Sequence, residues 1–236
     1  MKAVILAGGF GKRLKPLTDE KPKPMIDVLD KPIIEWQIRW LRNHGISDVI
    51  LCVGYMKENI VDYIGSGTRL GVNAYYTVED TPVGTGGALK NAESLLASED
   101  KFFMLNGDVL TNLDPNRLEC ELSNGLVATI AVVPLPSPFG VLQLDKDSRV
   151  LGFTEKPKIT QFWINAGVYC LSGKIFSYLP KSGNIETTAL PALAKSRKLK
   201  AVKFENSFWR SIDSHKDIEE ASREIGAIFK RAVPRK

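Results

Sequence analysis

Along residues 1–133 the apolar positions fall into two alternating textures. Short runs bounded by turn residues, Lys2–Leu6, Asp48–Val53, Asn73–Val78, Phe102–Leu105 and Leu126–Val133, read as strands, Asp48–Val53 as a buried one. Between them the spacing predicts helices. Pro32–His44 carries Ile34, Ile38 and Leu41 on one face with Gly45 at its stop; Lys57–Ile64 ends at Gly65; two more run from Thr85 to Leu96 and from Asp114 to Leu122. Strands alternating with helices predict a largely parallel sheet covered on both faces, with ligands at the carboxyl ends of the strands.

From Phe139 the texture changes. Val141–Leu144, Val150–Phe153 and Trp163–Leu171 are β-like pieces with no long helix between them, which predicts added antiparallel strands and a cover over the pocket. The chain then predicts a helix over Thr187–Ser196 interrupted at Pro191, a strand Leu199–Phe204 and an amphipathic helix from Ser214 to Phe229. No repeat, linker or low-complexity segment breaks the pattern. The 236 residues are expected to form one domain.

Composition narrows the partners. No apolar run approaches the ~18 residues a membrane span needs, and the first strand begins at Lys2 with no room for a leader, so a cytoplasmic protein without a membrane partner is expected. Cys52, Cys120 and Cys170 have no metal-like spacing and read as reduced core thiols; His44 and His215 add too few ligands for zinc. Any metal is expected to be a hard ion held by carboxylates. The net charge of +5 gathers in Lys12–Lys23, in Lys195, Arg197, Lys198, Lys200 and Lys203, and in Lys230, Arg231, Arg235 and Lys236. The last two groups read as solvated faces, and without interleaved aromatics no nucleic-acid partner is expected. A homo-oligomer is compatible with the sequence, which does not fix the number of copies.

The candidate chemistry starts where the first strand ends. Leu6-Ala7-Gly8-Gly9-Phe10-Gly11-Lys12-Arg13-Leu14 leads from a strand through three glycines into a cationic loop, completed by Pro22-Lys23-Pro24-Met25. Glycines let the backbone approach a ligand and present N–H groups to phosphates, while Arg13 and Lys23 add fixed positive charge. Lys12 is followed by Arg13 where a Walker loop needs Ser or Thr, and Leu14 stands where a dinucleotide fingerprint needs glycine. A tight turn without a ligand is the plain alternative for such a stretch.

The whole stretch resembles the signature of the nucleotidyltransferases that make nucleoside-diphosphate sugars from a nucleoside triphosphate and a sugar 1-phosphate; Lys12 replaces a common Thr. The resemblance covers essentially the whole chain. It implies a Rossmann-like, mostly parallel α/β sheet with helices on both faces and extra antiparallel strands over the sugar site. No C-terminal β-helix domain of the kind some relatives carry is expected.

The resemblance also sorts the remaining motifs. Glu79-Asp80-Thr81-Pro82-Val83-Gly84-Thr85-Gly86-Gly87 follows a strand, opens a helix, and in the family flanks the nucleobase. Many uridylyl- and thymidylyl-transferring relatives have Gln at Glu79; a carboxylate accepts hydrogen bonds and donates none, which matches guanine's N–H and NH₂ edge. Some uridylyltransferases of muramic acid recycling share a similar Glu. Asn106-Gly107-Asp108 ends a central strand, where the resemblance makes Asp108 a ligand of Mg²⁺; an Asx turn is the alternative. Relatives commonly complete that site with the first Asp of Asp-Ile-Gly-Thr-Pro-Glu-Asp, and here Ser211 stands at that place. The run Trp209-Arg210-Ser211-Ile212-Asp213 is similar to glucose-1-phosphate cytidylyltransferases and favours Asp213, which could also cap the last helix unless Ser214 does so. Gly140, Glu155, Lys156, Asn165 and Gly167 match elements that line the family's sugar pocket, although Glu155-Lys156 alone reads as a surface pair.

These readings assemble into an expected site. Leu6, Ala7, Gly8, Gly9, Gly11, Lys12, Arg13, Lys23, Glu79, Gly84, Thr85, Asn106 and Gly107 would bind nucleotide; Arg13, Lys23 and Asp108 would be catalytic; Asp108 and Asp213 would hold Mg²⁺. The favoured reaction joins GTP and mannose 1-phosphate, with a heptose 1-phosphate close behind. Uridylyl, cytidylyl or thymidylyl transfer to glucose 1-phosphate is the alternative within the class, and a silent subunit that senses nucleotide sugars is the alternative outside it.

Overall fold

The structure, a computed structural model, describes residues 1–232. Strands β1 (Lys2–Ala7), β4 (Asp48–Val53), β5 (Asn73–Val78), β6 (Lys101–Asn106), β8 (Ala128–Pro136), β11 (Lys158–Ser172) and β12 (Leu199–Lys203) form one sheet in the order β12-β8-β11-β6-β1-β4-β5. All its pairings are parallel except those of β11, which runs antiparallel to both β6 and β8. The mostly parallel α/β sheet expected from the sequence is therefore present.

The strand period of two explains why the runs look uniformly apolar. In β1, Ala3, Ile5 and Ala7 face one layer while Val4 faces the other, and all four are buried. The first layer holds Ile34, Ile38 and Leu41 of α2 (Ile33–Asn43), Ile60 and Ile64 of α3 (Lys57–Ile64), and Leu118 of α5 (Asn116–Glu121). The second holds Ala88 and Leu89 of α4 (Gly84–Asn91) with Leu190 and Leu193 of α6 (Ala189–Lys195). Each such Leu or Ile contributes roughly 1.5–3 kcal/mol through removal from water.

Several expectations are corrected. The helix expected over Thr85–Leu96 stops at Asn91 and resumes as a 3₁₀ turn over Glu93–Leu96. Pro191 does not interrupt α6, because it occupies the third helical position, where an N–H has no intrahelical partner to lose. Cys52 and Cys170 are buried, but Cys120 is exposed and does not belong to the core. The second cationic group keeps the expected solvated face, with Lys195, Arg197, Lys200 and Lys203 exposed; Lys200 pairs with Glu121, Lys198 donates to the Tyr178 hydroxyl at 2.9 Å and Lys203 lies over the Trp163 ring. The side chains of Lys230, Arg231, Arg235 and Lys236 lie outside the described residues.

Short elements absent from the apolar pattern shape the ligand edge. A four-residue α1 (Leu17–Glu20) and the small pair β2 (Asp27–Val28) and β3 (Lys31–Pro32) follow the glycine loop. β7 (Val109–Thr111) pairs antiparallel with β13 (Trp209–Ser211), which leads into α7 (His215–Ala232). β9 (Val141–Leu144) and β10 (Val150–Thr154) form a hairpin apart from the main sheet. Among the described residues no helix is long and apolar enough to cross a membrane.

Candidate active site

The carboxyl ends of β1 and β6 lie side by side, with Leu6 in register with Asn106. Gly107 turns directly beneath β1: its N–H donates to the Leu6 carbonyl at 3.0 Å, and a Cβ there would stand 2.3 Å from the same oxygen. Only glycine fits this floor without moving a strand. The glycine loop then closes through a 3₁₀ turn over Lys12–Leu14, and Gly11 sits at φ +60° against the side chains of Thr18 and Lys23.

A cavity of about 320 Å³ opens above this floor. Of the expected nucleotide residues, Leu6, Ala7, Gly8, Gly9, Lys23, Glu79, Gly84, Thr85, Asn106 and Gly107 line it together with Asp108. Gly11, Lys12 and Arg13 stand outside the lining. Phe10, Pro24 and Pro82 of the quoted motifs also line it, together with Ala88 and Asn184, which the expected site did not include. Asn184 is held by the second glycine element: its carboxamide oxygen accepts the Thr85 N–H at 3.3 Å, and Thr85 Oγ1 donates to Glu186 at 2.6 Å.

The charged groups converge on one point. Lys23 Nζ, with its side chain only 12% exposed, donates to Asp108 Oδ2 at 2.6 Å and to Asp213 Oδ1 at 2.8 Å. Arg13, 76% exposed, reaches the same Asp213 oxygen at 2.8 Å. Burial pushes the Asp213 carboxyl up, but the Lys23 ammonium, with Ser211 Oγ and Arg13 beside it, outweighs burial and holds it below the usual carboxylate value. Glu79 is different. Its partial burial raises its pKa, offset only in part by the Val83 N–H.

The β7–β13 pair explains how Asp213 arrives. Ser211 is in register with Val109, and the Ile212 N–H donates to the Asp108 carbonyl at 2.9 Å, which sets Asp213 beside Asp108. Ser211 is not the residue bound by Lys23; its hydroxyl donates to Asp213 Oδ2 at 3.0 Å. The start of α7 is served by Ser214, whose hydroxyl accepts the Asp217 N–H at 3.3 Å and donates to the Asp217 carboxylate at 2.8 Å, so the Asp213 carboxylate is not needed as a cap. Gln37 of α2, almost fully buried, donates to the carbonyls of Asn106 and Val109 on either side of the Gly107–Asp108 turn. The signal for Gln37 was a polar residue three positions after Ile34 on an apolar helix face.

The expected sugar residues are not gathered. Gly167 lies against Asn106, and Asn165 donates to the Tyr169 hydroxyl at 2.6 Å while accepting the Gly167 N–H. Gly140, Glu155 and Lys156 line neither the glycine cavity nor a neighbouring cavity of about 450 Å³ that reaches Ser211 and Asp213 from the other side. Among the described residues Lys156 pairs with Glu155, at 3.5 Å. A larger cavity of about 620 Å³ behind α2, lined by Trp36, Trp40 and Phe208, contains neither the glycines nor the carboxylates.

Two carboxylates that already share one cation suit a hard divalent ion, which takes one or two protein carboxylates and completes its shell with water and phosphate. Among the described residues no cluster of three or more His, Cys, Asp or Glu could hold a metal.

Comparisons with known proteins agree with the resemblance read from the Leu6–Met25 signature. Mannose-1-phosphate guanylyltransferase catalytic subunit beta of Dictyostelium discoideum is 36% identical over 224 residues, 92% of this chain and 62% of that protein. Bifunctional protein GlmU of Methanococcus maripaludis is 35% identical over 231 residues, 94% of this chain and 54% of the relative. The chain thus spans roughly three fifths or less of these relatives' length. The crystal structure of HddC from Yersinia pseudotuberculosis complexed with GMP-PN superposes with a TM-score of 0.74 at 30% identity, covering 95% of this chain and 99% of that one. Residues 2–227 match the nucleotidyl transferase family, and the chain belongs to it.

Proposed function

We propose that the chain transfers a guanylyl group from GTP to a sugar 1-phosphate of manno configuration, releasing pyrophosphate and forming a GDP-sugar. The observation that carries the reading is the meeting of Lys23, Arg13, Asp108 and Asp213 at the edge of a glycine-walled cavity that Lys23 and Asp108 line together with Glu79. Relatives named as mannose-1-phosphate guanylyltransferases and the GMP-PN complex of HddC support the choice of base, and the former the choice of sugar.

A sugar phosphate is already an anion, so no protein nucleophile is needed; the site must neutralise charge and hold an in-line geometry. A phosphate oxygen of the sugar 1-phosphate bonds to the α-phosphorus while the bond to the β-phosphate oxygen breaks, and pyrophosphate leaves with the electron pair. Arg13 would take the β- and γ-phosphates, Lys23 the α-phosphate, and Lys156 the attacking phosphate. The Glu79 carboxylate would accept guanine's N1–H and amino protons. Asp108 and Asp213 would hold Mg²⁺, which when bound supplies further neutralisation of phosphate oxygens. Gly140, Glu155, Asn165 and Gly167 would contact the sugar.

Pyrophosphate release measured over a grid of nucleoside triphosphates against mannose, glucose and N-acetylglucosamine 1-phosphates tests the reading. GTP with mannose 1-phosphate should lead. Release led by another triphosphate would overturn the Glu79 argument, and nucleotide-sugar binding without release would favour the silent sensing subunit.

A further inference from the structure

We infer that Asn184 reads the O6 oxygen of the guanine base, as the hydrogen-bond donor that complements Glu79. The inference rests on the guanylyl transfer proposed above. Glu79 answers only part of a guanine edge. The N1–H and amino protons are donors a carboxylate can accept, whereas O6 beside them is an acceptor that a carboxylate repels. An acceptor left unpaired on leaving water costs more than the hydrogen bond itself contributes, so a donor is needed next to Glu79.

Packing brings Asn184 to that place. The loop over residues 180–186 lies directly on the second glycine element: the Gly183 N–H donates to the Val83 carbonyl at 2.8 Å, and the Gly86 and Gly87 N–H groups donate to the Gly183 carbonyl at 2.9 and 3.2 Å. A Cβ at Gly84 would stand 2.6 Å from the Asn184 side-chain oxygen, one at Gly86 2.9 Å from the Gly183 carbonyl, and one at Gly87 2.8 Å from the Lys181 carbonyl. All three glycines of the element therefore make room for this loop. Asn184 is the residue of the loop that lines the glycine cavity.

Its orientation is fixed as well. Asn184 Oδ1 accepts the Thr85 N–H at 3.3 Å, and its main-chain carbonyl accepts the Thr187 N–H at 3.2 Å and the Thr188 hydroxyl at 2.6 Å. With Oδ1 so used, the Nδ2 group keeps both protons without a partner among the described residues. The neighbouring hydroxyl is already committed, because Thr85 Oγ1 accepts the Ile185 N–H at 2.9 Å and donates to Glu186 at 2.6 Å. Glu79 is anchored close by, its carboxylate accepting the Val83 N–H at 3.3 Å. The N–H groups that hold Glu79 and Asn184 are two residues apart, at most about 7 Å of chain, so one base can reach both side chains. The other carboxamide on the cavity wall, Asn106, immediately precedes Gly107-Asp108 and stands with the charged cluster.

Pyrophosphate release with GTP, 6-thio-GTP and ITP, each against mannose 1-phosphate, tests the inference in the full chain and in its Asn184→Asp and Asn184→Ala variants. Sulfur at the six position accepts hydrogen bonds poorly and leaves the N1–H and amino group in place, while ITP keeps the oxygen and lacks the amino group. The unmodified chain should favour GTP over 6-thio-GTP in kcat/KM by roughly 3–10-fold, the worth of one hydrogen bond. Both variants should bring that ratio close to one and leave the preference for GTP over ITP, set by Glu79, unchanged. Asn184→Asp keeps the oxygen that holds the Thr85 N–H, so its thermal melting should match that of the unmodified chain and separate a lost donor from a loosened loop. The same GTP to 6-thio-GTP ratio in all three proteins would assign O6 to a backbone N–H and overturn the inference. An equal loss of both preferences would overturn it too, by showing that Asn184 only places the loop. An unmodified chain that does not use GTP would instead sink the guanylyl transfer, and this inference with it.

Discussion

Replacing Lys23 by Met removes the cation shared by Asp108 and Asp213 while keeping most of the side-chain volume. The two bonds of 2.6 and 2.8 Å leave the facing carboxylate oxygens at most about 5 Å apart. At an effective dielectric of ~20 their repulsion is ~3 kcal/mol. Their side chains are 26% and 30% exposed, so water and the exposed Arg13 screen part of it. We expect Lys23→Met to cost about 2–3 kcal/mol of stability near neutral pH, below the 3–5 kcal/mol typical of a fully buried pair. Lys23→Arg, which keeps the charge, should recover part of the loss.

The pH dependence separates this account from a packing defect. In the unmodified chain the Asp213 pKa lies below its ordinary value, so its contribution is complete above the unfolded-state pKa and is lost as pH falls through the lowered folded value. Without Lys23 the carboxylates disfavour each other's ionisation, and protonation relieves the variant as pH falls. The stability gap between the two proteins should therefore be widest near pH ~7 and close towards pH ~4. Urea unfolding followed by circular dichroism across that range measures it. A gap under ~0.5 kcal/mol, or one independent of pH, would refute the reasoning.

Further outcomes follow from single positions. Gly107→Ala places a methyl 2.3 Å from the Leu6 carbonyl and must part β1 from β6; we expect ~2 kcal/mol of destabilisation by thermal melting. Because Asp108 shifts with that turn, pyrophosphate release should also fall ~10²-fold, and wild-type turnover would contradict the assignment. Glu79→Gln should lower kcat/KM for GTP relative to UTP by ~10-fold or more. In the unmodified protein GTP affinity should drop as pH falls through the raised Glu79 value, a dependence the Gln variant should lack. Burial pushes the Cys52 and Cys170 thiols up to about 12 while Cys120 is exposed. A thiol reagent should label Cys120 alone in the native protein and all three on unfolding, and rapid native labelling of Cys52 would show that the sheet opens locally.

Most of the sheet was legible because its inner strands are buried on both faces and leave unbroken apolar runs: β4 has the bounds expected from the sequence, as do the half-exposed edge strand β5 and, outside the main sheet, the exposed β9. The glycine loop and Asn106-Gly107-Asp108 were legible for a related reason, since each directly follows such a run. The β7–β13 pair was not. Three residues are too few to show a period, and the pairing joins segments about one hundred residues apart. Gln37 carried a signal in its polarity on an otherwise apolar face, but nothing in the sequence showed that its partners are the carbonyls of Asn106 and Val109. Asn184 lay in a turn whose only function visible in the sequence was to connect.

The second carboxylate depends on a part of the fold that the apolar runs do not reveal. Leu14, Ile26, Val28 and Ile33 around the glycine loop pack with Leu110 of β7, Ile212 beside Asp213, and Ala221 and Ile225 of α7 in a small core separate from the two layers of the sheet. This core binds the cationic loop, the Asn-Gly-Asp turn and the last helix into one unit directly beneath the Lys23–Asp108–Asp213 cluster. The opposed charges can therefore stay close without relying on their own attraction, which partial exposure weakens. Apolar burial, which water does not screen, carries the cost of placing two carboxylates side by side. It also explains why Asp213 can lie more than one hundred residues from Asp108 in the chain and still share its ammonium partner.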